Sequence, residues 1–221
     1  LLASDPHLGL SAPSIWYLAR LELDTGGVIG GTIPGIPMVL NGRSDALGWG
    51  ITATGMDDQD VFIEEVNPAN PAQYRSPRGW VDFETRRSII RVKDAAPVTV
   101  ELRRTQNGPV MPGGHFGLAN VTPPGHVAAL AWTALDRDDR SLSAAMGLMH
   151  ARTVDEAIDA MEDFVAPALN LTLADRSEIG FKMVGKQPSR SADQRGQGRI
   201  PSLGWQMANR WQGTLPYAEN P

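Results

Sequence analysis

The segment Asp5-Pro6-His7 contains side chains whose types and order could support catalysis. Pro6 restricts its own φ and favours an extended backbone at Asp5, which gives the imidazole of His7 a stiff presentation. An imidazole held in this way can hydrogen-bond a reacting group. A loop histidine beside an aspartate that forms a turn is the simpler interpretation, and the local sequence leaves both open.

A second segment, Asp57-Asp58-Gln59-Asp60, places three carboxylates within four residues. Hard cations such as calcium bind several oxygen ligands, including carboxylates and backbone carbonyls. Asp57 and Asp60, with a carbonyl between them, could converge on one ion, although the spacing is not that of an EF-hand. A solvated acidic loop before a strand is the alternative.

Other common catalytic, metal-binding and phosphate-binding motifs do not occur in the sequence. It has no cysteine, which excludes disulfides, thiolate zinc sites, iron–sulfur clusters and cysteine nucleophiles. Its four histidines are widely spaced, and its glycine-rich segment at 26–31 lacks the Lys-Ser or Lys-Thr of a phosphate loop. The net charge of −5 argues against a nucleic-acid partner, and no apolar run approaches the roughly 18 residues that span a bilayer.

The elements that must position these residues are mainly strands. The 221 residues are 42% hydrophobic and 20% charged, which is typical of a globular chain, and the 23 Gly and 17 Pro predict many turns. We expect the glycines of 26–31 to form a flexible hairpin tip. The predicted strands cover residues 49–54, 61–66, 88–92, 98–104, 116–121, 127–133, 169–173 and 179–184.

Two helices are also predicted. One begins near Ser11, just before a proline at an early helical position, and extends to about Leu21. The other begins at Thr153, which forms a capping box with Glu156 ahead of an apolar stripe that ends before Pro167. The sum is a β-rich α+β fold with mainly antiparallel sheets, formed by residues 1–221 as a single region.

Neither end has the sequence expected of a complete protein. The chain starts at Leu1 without an initiator Met or a signal peptide, and it ends at Pro221 in a loop-like segment. We therefore expect a fragment of a longer polypeptide or a product of processing.

Several stretches, taken in order along the chain, resemble the penicillin acylase family of N-terminal nucleophile hydrolases. This family includes penicillin G acylases, cephalosporin acylases and acyl-homoserine lactone acylases. The resemblance covers the chain from end to end, and it depends on the order and spacing of its motifs rather than on any one of them. The stretches are Leu1-Leu2-Ala3-Ser4-Asp5-Pro6-His7-Leu8, Pro34-Gly35-Ile36-Pro37, Trp49-Gly50-Ile51-Thr52-Ala53-Thr54-Gly55-Met56-Asp57-Asp58-Gln59-Asp60, Tyr74…Gly79-Trp80, Arg104-Thr105…Gly108-Pro109-Val110, Ala131-Trp132-Thr133 and Asn170…Ala174-Asp175…Ile179-Gly180.

The resemblance implies a self-cleaving precursor, located in the periplasm or secreted, whose β chain begins with a serine. That serine would attack an amide carbonyl while its own α-amino group takes the proton, and water would then hydrolyse the acyl-enzyme. The implied fold is part of an αββα sandwich. The serine would precede Leu1, and the family's oxyanion Asn and a later Arg would follow Pro221. An isolated chain is thus expected to be inactive and to need the α chain and the rest of the β chain.

The resemblance also implies roles for residues within the chain. The catalytic positions are His7, near the nucleophile, and Ala53, whose backbone N–H would complete the oxyanion hole. Leu8, Ile51, Trp132 and Leu169 match walls of the acyl pocket, and their apolar character suits an aliphatic or aromatic acyl group. Asp57, the Gln59 carbonyl and Asp60 match the family's calcium loop, and Gly198 matches another carbonyl contributor on a weaker alignment.

The sequence departs from the family at a few positions. Gly42-Arg43-Ser44 stands where Gly-His-Asn is common, Asn107 stands where His is common, and Asn41 occupies a position that is usually apolar. Asn41 bears on the substrate class because it adjoins the pocket. These departures motivate an alternative function, a non-catalytic, calcium-stabilised binding module on the same scaffold.

Overall fold

The computed structural model describes residues 1–5 and 8–221. These residues form two compact units: unit 1 is Leu1–Met56, Asp136–Gln187 and Leu215–Pro221, and unit 2 is Asp57–Leu135 and Pro188–Thr214. In chain order, the elements are β1 (Tyr17–Leu23), β2 (Gly26–Thr32), β3 (Asn41–Arg43), β4 (Gly48–Ala53), β5 (Gln59–Glu65), β6 (Gln73–Ser76), β7 (Gly79–Asp82), β8 (Glu84–Ile90), β9 (Val98–Thr105), β10 (Gly108–Pro109), β11 (His126–Trp132), α1 (Ser141–His150), α2 (Val154–Ala160), β12 (Leu169–Ala174), β13 (Ile179–Val184), β14 (Pro188–Arg190), β15 (Ser202–Leu203) and β16 (Trp211–Thr214).

Unit 1 contains a six-stranded sheet with the order β1-β2-β3-β4-β12-β13, and its neighbouring strands are all antiparallel. In β12, Leu169, Leu171 and Leu173 alternate with more polar residues, the period of a strand with one buried face. The register places Leu169 opposite Ala53 and Leu171 opposite Ile51. Residues that are directly opposite project from the same face, so this register brings the predicted pocket residues of β4 and β12 together.

Helices α1 and α2 supply the second layer of unit 1. Ala145 and Leu148 of α1 and Ala157 of α2 are buried in one core with Trp49 and Leu171 of the sheet. Full burial of a large apolar side chain contributes about 1.5–3 kcal/mol, so this contact between helices and sheet accounts for much of the stability of unit 1.

The predicted capping of α2 is confirmed. The Thr153 hydroxyl accepts a hydrogen bond from the Glu156 amide at 3.2 Å, and the Glu156 carboxylate accepts from the Arg152 amide at 2.8 Å. Helix α2 is shorter than its apolar stripe, because it ends at Ala160. Helix α1 was not predicted, since Arg140 at its N-cap makes no side-chain capping bond and its first turn has no acidic residue.

The helix predicted for residues 11–21 is wrong. Strand β1 occupies residues 17–23 and pairs along its whole length with β2. Leu21 and Leu23 pack against the core of unit 1, whereas Leu18 is 86% exposed. Ala19, Leu21 and Leu23 thus follow the two-residue period of a strand, Leu18 lies on the opposite face, and pairing with β2 satisfies the backbone. The glycines of 26–31 lie within β2 rather than at the hairpin tip, which is at residues 24–25.

The strand predicted for residues 116–121 is also wrong. His115–Asn120 is a short 3₁₀ helix in which Phe116 and Gly117 have φ values of 50° and 68°. Positive φ at two successive residues cannot continue a strand. Phe116 is 85% exposed, so the apolar residues that suggested a buried strand do not share a core. The other predicted strands match observed ones with boundaries that differ by a few residues.

Unit 2 consists of small sheets. Strands β11-β5-β15 form one three-stranded sheet and β10-β9-β8 another, while β6-β7 and β14-β16 are two-stranded. Strand β15 runs parallel to β5, and the remaining strand pairs of the described residues are antiparallel. The β-rich, mainly antiparallel architecture predicted from the sequence is confirmed. Within the described residues, no helix has the length and apolar character needed to cross a membrane.

Candidate active site

An apolar cavity of about 330 Å³ lies in unit 1. Leu8, Ile51, Ala53 and Leu169, which were predicted from separate parts of the sequence, all line it. The volume falls at the lower end of the range for small-molecule sites. The register of β4 and β12 explains the grouping of Ile51, Ala53 and Leu169, because these residues project from one face of the sheet.

Much of the cavity wall was not predicted. Residues 34–37 were identified only as one of the stretches that resemble the family, and the apolar side chains after α2 only as part of a helical stripe. Their participation depends on the packing of this segment, α1 and the chain after α2 around the end of β4, and no local pattern signals that packing. The additional apolar lining residues are Trp16, Ile33, Ile36, Met38, Leu40, Leu142, Leu148, Met161, Phe164, Ala166 and Pro167.

The end of β4 is held by side chains as well as by strand pairing. The Asn170 amide group donates to the Ala53 carbonyl at 3.3 Å and to the Thr52 hydroxyl at 3.2 Å. These contacts fix the peptide groups next to the cavity, as an oxyanion donor requires. His7, the other predicted catalytic residue, lies outside the described residues, so its proximity to Ala53 stays a prediction. The residue after it, Leu8, lines the cavity.

Asn41 has a structural role beside the site. Its side-chain oxygen accepts a hydrogen bond from the Ile51 amide at 2.7 Å, and the Ser4 hydroxyl lies 3.1 Å from the same oxygen. The cavity wall is formed by the neighbouring Leu40. The Asn41 side chain therefore hydrogen-bonds the backbone of β4.

Trp132, the remaining predicted pocket residue, belongs to unit 2. It ends β11, and its indole N–H donates to the Asp58 carboxylate at 3.2 Å. Its role in acyl binding stays a prediction.

The predicted metal ligands surround an arginine. Arg190 Nε lies 3.2 Å from Asp60 Oδ1 and 3.1 Å from Oδ2, and Nη2 lies 3.0 Å from Oδ1. Nη2 also donates to the Asp57 carbonyl at 3.2 Å and approaches the Gln59 carbonyl at 3.5 Å. The oxygens that were expected to bind calcium therefore face a guanidinium.

These residues, as arranged, do not fit a calcium ion. Calcium takes six to eight oxygen ligands at about 2.3–2.6 Å. Both Asp60 oxygens instead accept N–H donors, and the Asp57 and Gln59 carbonyls point to the same cation, Arg190. Among the described residues, no group of three or more acidic, histidine or cysteine side chains is arranged to hold a metal.

Unit 2 contains a second polar cluster that was not predicted. Glu64 is completely buried, and one of its oxygens accepts from Thr105 at 2.9 Å and from Asn107 at 2.8 Å. The other oxygen has no hydrogen-bond partner among the described residues. Burial raises the pKa of the Glu64 carboxyl, and these two hydrogen bonds and the charge of Arg210 offset only part of that increase. Asn107, one of the departures from the family pattern, thus donates a hydrogen bond to a buried carboxyl group.

The arrangement of these sheets and helices matches part of the fold of a penicillin acylase. A crystal structure of thermostable penicillin G acylase from Alcaligenes faecalis superposes on this chain with a TM-score of 0.85 and 27% sequence identity, covering 98% of this chain and 37% of that one. All residues, 1–221, match the sequence profile of penicillin amidase. The chain belongs to the penicillin amidase family.

Characterised relatives of the chain are acylases. The acyl-homoserine lactone acylase QuiP of Pseudomonas syringae pv. tomato is 32% identical over the whole chain, and penicillin G acylase of Escherichia coli is 24% identical over the whole chain. This chain spans 27% of the length of the first relative and 25% of the second. It corresponds to one part of these larger enzymes.

Proposed function

We propose that this chain supplies the acyl-binding wall and one oxyanion donor of an acylase that hydrolyses N-acylated substrates, such as β-lactam or acyl-homoserine lactone amides. The observation that carries the proposal is the apolar cavity at the end of β4, lined by Leu8, Ile51, Ala53 and Leu169. The activities in the names of the relatives support the same reaction class.

The acyl chain would occupy the cavity, with its amide carbonyl next to Ala53. The nucleophile would be a serine upstream of Leu1, whose oxygen forms a bond to the carbonyl carbon. Its α-amino group takes the hydroxyl proton and passes it to the leaving amine as the C–N bond breaks. The Ala53 N–H would donate to the oxygen that becomes negative, and His7 matches a histidine that the family carries near the nucleophile. Water then hydrolyses the acyl ester and releases a carboxylic acid.

The cavity lining indicates the kind of acyl group. None of the described residues that line it is charged, and its polar side chains are Thr52 and Ser141. Binding would therefore depend on removal of apolar surface from water rather than on ion pairing. This favours an aliphatic or aromatic acyl group and disfavours an anionic one.

Two matched variants test the proposal in the purified protein that contains this chain. Leu8 lines the cavity and is 45% exposed, whereas Leu10 is fully exposed and does not line it. Leu8→Asp should lower kcat/KM for a medium-chain acyl amide by about tenfold or more, because a carboxylate at the cavity wall must be desolvated. Leu10→Asp should leave kcat/KM unchanged. Amine and acid release are measured together.

Two outcomes would contradict the proposal. One is equal kinetic behaviour of the Leu8→Asp and Leu10→Asp proteins, which would remove the cavity from acyl binding. The other is binding of acyl amides without release of amine and acid, as the alternative of a non-catalytic binding module requires.

A further inference from the structure

We propose that the guanidinium of Arg190 is the permanent cation of the acidic loop at residues 57–60, and that this chain holds the loop without calcium. Arg190 lies at the end of β14, which pairs with β16. The acidic loop leads into β5, in the same unit. The proposal rests on unit 2 alone and is independent of the proposed acylase activity.

The arginine is buried with its carboxylate. The side chains of Arg190 and Asp60 are 7% and 2% exposed, and the shortest distance between their charged atoms is 3.0 Å. Nη2 also lies 3.3 Å from an Asp57 carboxylate oxygen, and Asp57 is 47% exposed. The guanidinium thus neutralises the buried carboxylate, while water solvates the remaining charge at Asp57. A buried ion pair of this kind requires nearly complete hydrogen bonding on both partners.

Hydrogen bonding around Asp60 meets that requirement. In addition to the contacts from Arg190, one Asp60 oxygen accepts from the Trp211 indole N–H at 2.6 Å and from the Gln194 amide group at 3.4 Å. A metal ion would have to displace these donors, because it binds the same lone pairs. It would also bring a second positive charge next to a buried guanidinium, which costs free energy in a region of low dielectric.

Gly198 approaches the acidic residues and the arginine more closely than a residue with a side chain could. Gly198 has φ +78°, and a Cβ built there would lie 2.5 Å from an Asp60 oxygen, 2.7 Å from an Asp57 oxygen and 2.9 Å from Arg190 Nη2. The backbone of Gly198 therefore packs directly against both the carboxylates and the guanidinium.

The experiment compares thermal unfolding of the purified protein that contains this chain in EDTA and in millimolar calcium. The wild type should unfold at the same temperature in both. Arg190→Gln should unfold at least ~5 °C lower in EDTA, because it leaves Asp60 buried without its cation. Arg195→Gln, which removes an exposed arginine from the same region, should unfold with the wild type.

The Asp57→Asn variant shows whether any calcium-dependent change in unfolding temperature arises at the acidic loop. If calcium raises the unfolding temperature of the wild type and Asp57→Asn abolishes that increase, the acidic loop binds calcium and the proposal fails. An increase of equal size in both proteins places calcium elsewhere and supports the proposal. Retention of wild-type stability by Arg190→Gln would also overturn it. If Arg190→Gln does not fold, the comparison of the wild type with Asp57→Asn still determines whether the acidic loop binds calcium.

Discussion

Individual residues of this chain show how burial, rather than residue type, sets their role. Glu64 and Glu65 are neighbours on β5, but Glu64 is completely buried beside Thr105 and Asn107 while Glu65 forms a partly exposed ion pair with Arg75. Consecutive residues of a strand face opposite sides. The alternation therefore explains why one carboxyl lies in the interior and the other at the surface.

Glu64 should make stability depend on pH. Burial raises its pKa in the folded protein, so the protonated form favours folding. The resulting stability is fully present below the pKa of the unfolded chain and is lost as the pH rises through the folded pKa. Glu64→Gln has no charge to bury, so its free energy of unfolding relative to the wild type should rise between pH 4 and pH 8. Denaturant unfolding at the two pH values measures this change.

The neighbouring residue provides the control for this measurement. Glu65→Gln removes an exposed ion pair, which contributes about 0–1 kcal/mol at most, so its effect should be small at both pH values. A Glu64→Gln protein whose stability relative to the wild type stays constant or falls between pH 4 and pH 8 would contradict the assigned burial.

The residues of the candidate site differ in how far the sequence could identify them. Ile51, Ala53 and Leu169 could be proposed because family motifs mark them and strand alternation groups them. Arg190 could not, since it lies 130 residues from Asp60 and no local pattern connects the two. Long-range pairing of this kind is determined by the complete fold. It also changes the interpretation of the acidic loop, whose spacing alone suggested an external cation.

At the scale of elements, the chain was predictable where the local pattern agrees with the tertiary environment. Strand β12 alternates cleanly and α2 has a capping box, and both were found near their predicted positions. Strand β1 was mistaken for a helix because Leu18 and Leu21 have helical spacing, whereas pairing with β2 places them on opposite faces of a strand. Helix α1 was missed because its N-cap residue, Arg140, is not a capping type and its first turn has no acidic residue.

The glycines of β2 were also misinterpreted from their local pattern, because they allow close approach of β3 rather than forming a turn. Gly30 is paired with Gly42 of β3, and a Cβ at Gly30 would lie 2.0 Å from the Asn41 carbonyl oxygen. Gly30→Ala should therefore force β2 and β3 apart and destabilise the protein by about 1–3 kcal/mol. Gly31→Ala is the matched control, because its Cβ would meet Trp16 at an ordinary 3.4 Å.

Chemical denaturation of the two variants measures the difference. Equal stability of the Gly30→Ala and Gly31→Ala proteins would contradict the close approach of β2 and β3. Strand β3 carries Asn41, which bonds the Ile51 amide. Gly30→Ala should thus also reduce activity in the proposed acylase more than Gly31→Ala does.

At the scale of the whole molecule, the proposed function depends on how the sheet and helices of unit 1 enclose one cavity. Leu169 of β12 lines this cavity, and Ile179 of the neighbouring β13 is 85% exposed on the same sheet. The same substitution can therefore be made at Leu169, inside the cavity, and at Ile179, outside it. Any effect of a large side chain on folding alone can then be separated from its effect on the cavity volume.

The dependence of kcat/KM on the length of the acyl group should report the volume of the cavity. Each methylene that enters an apolar cavity contributes about 0.8 kcal/mol, so kcat/KM should rise about fourfold per methylene until the cavity is full. Leu169→Trp fills part of the cavity and should move the optimum to shorter acyl groups, while Ile179→Trp should keep the wild-type optimum. Initial rates over a series of linear N-acyl amides give these profiles. If the optimum of Leu169→Trp coincides with that of the wild type, the acyl group binds elsewhere, because a cavity that determines the optimum cannot lose volume without changing it.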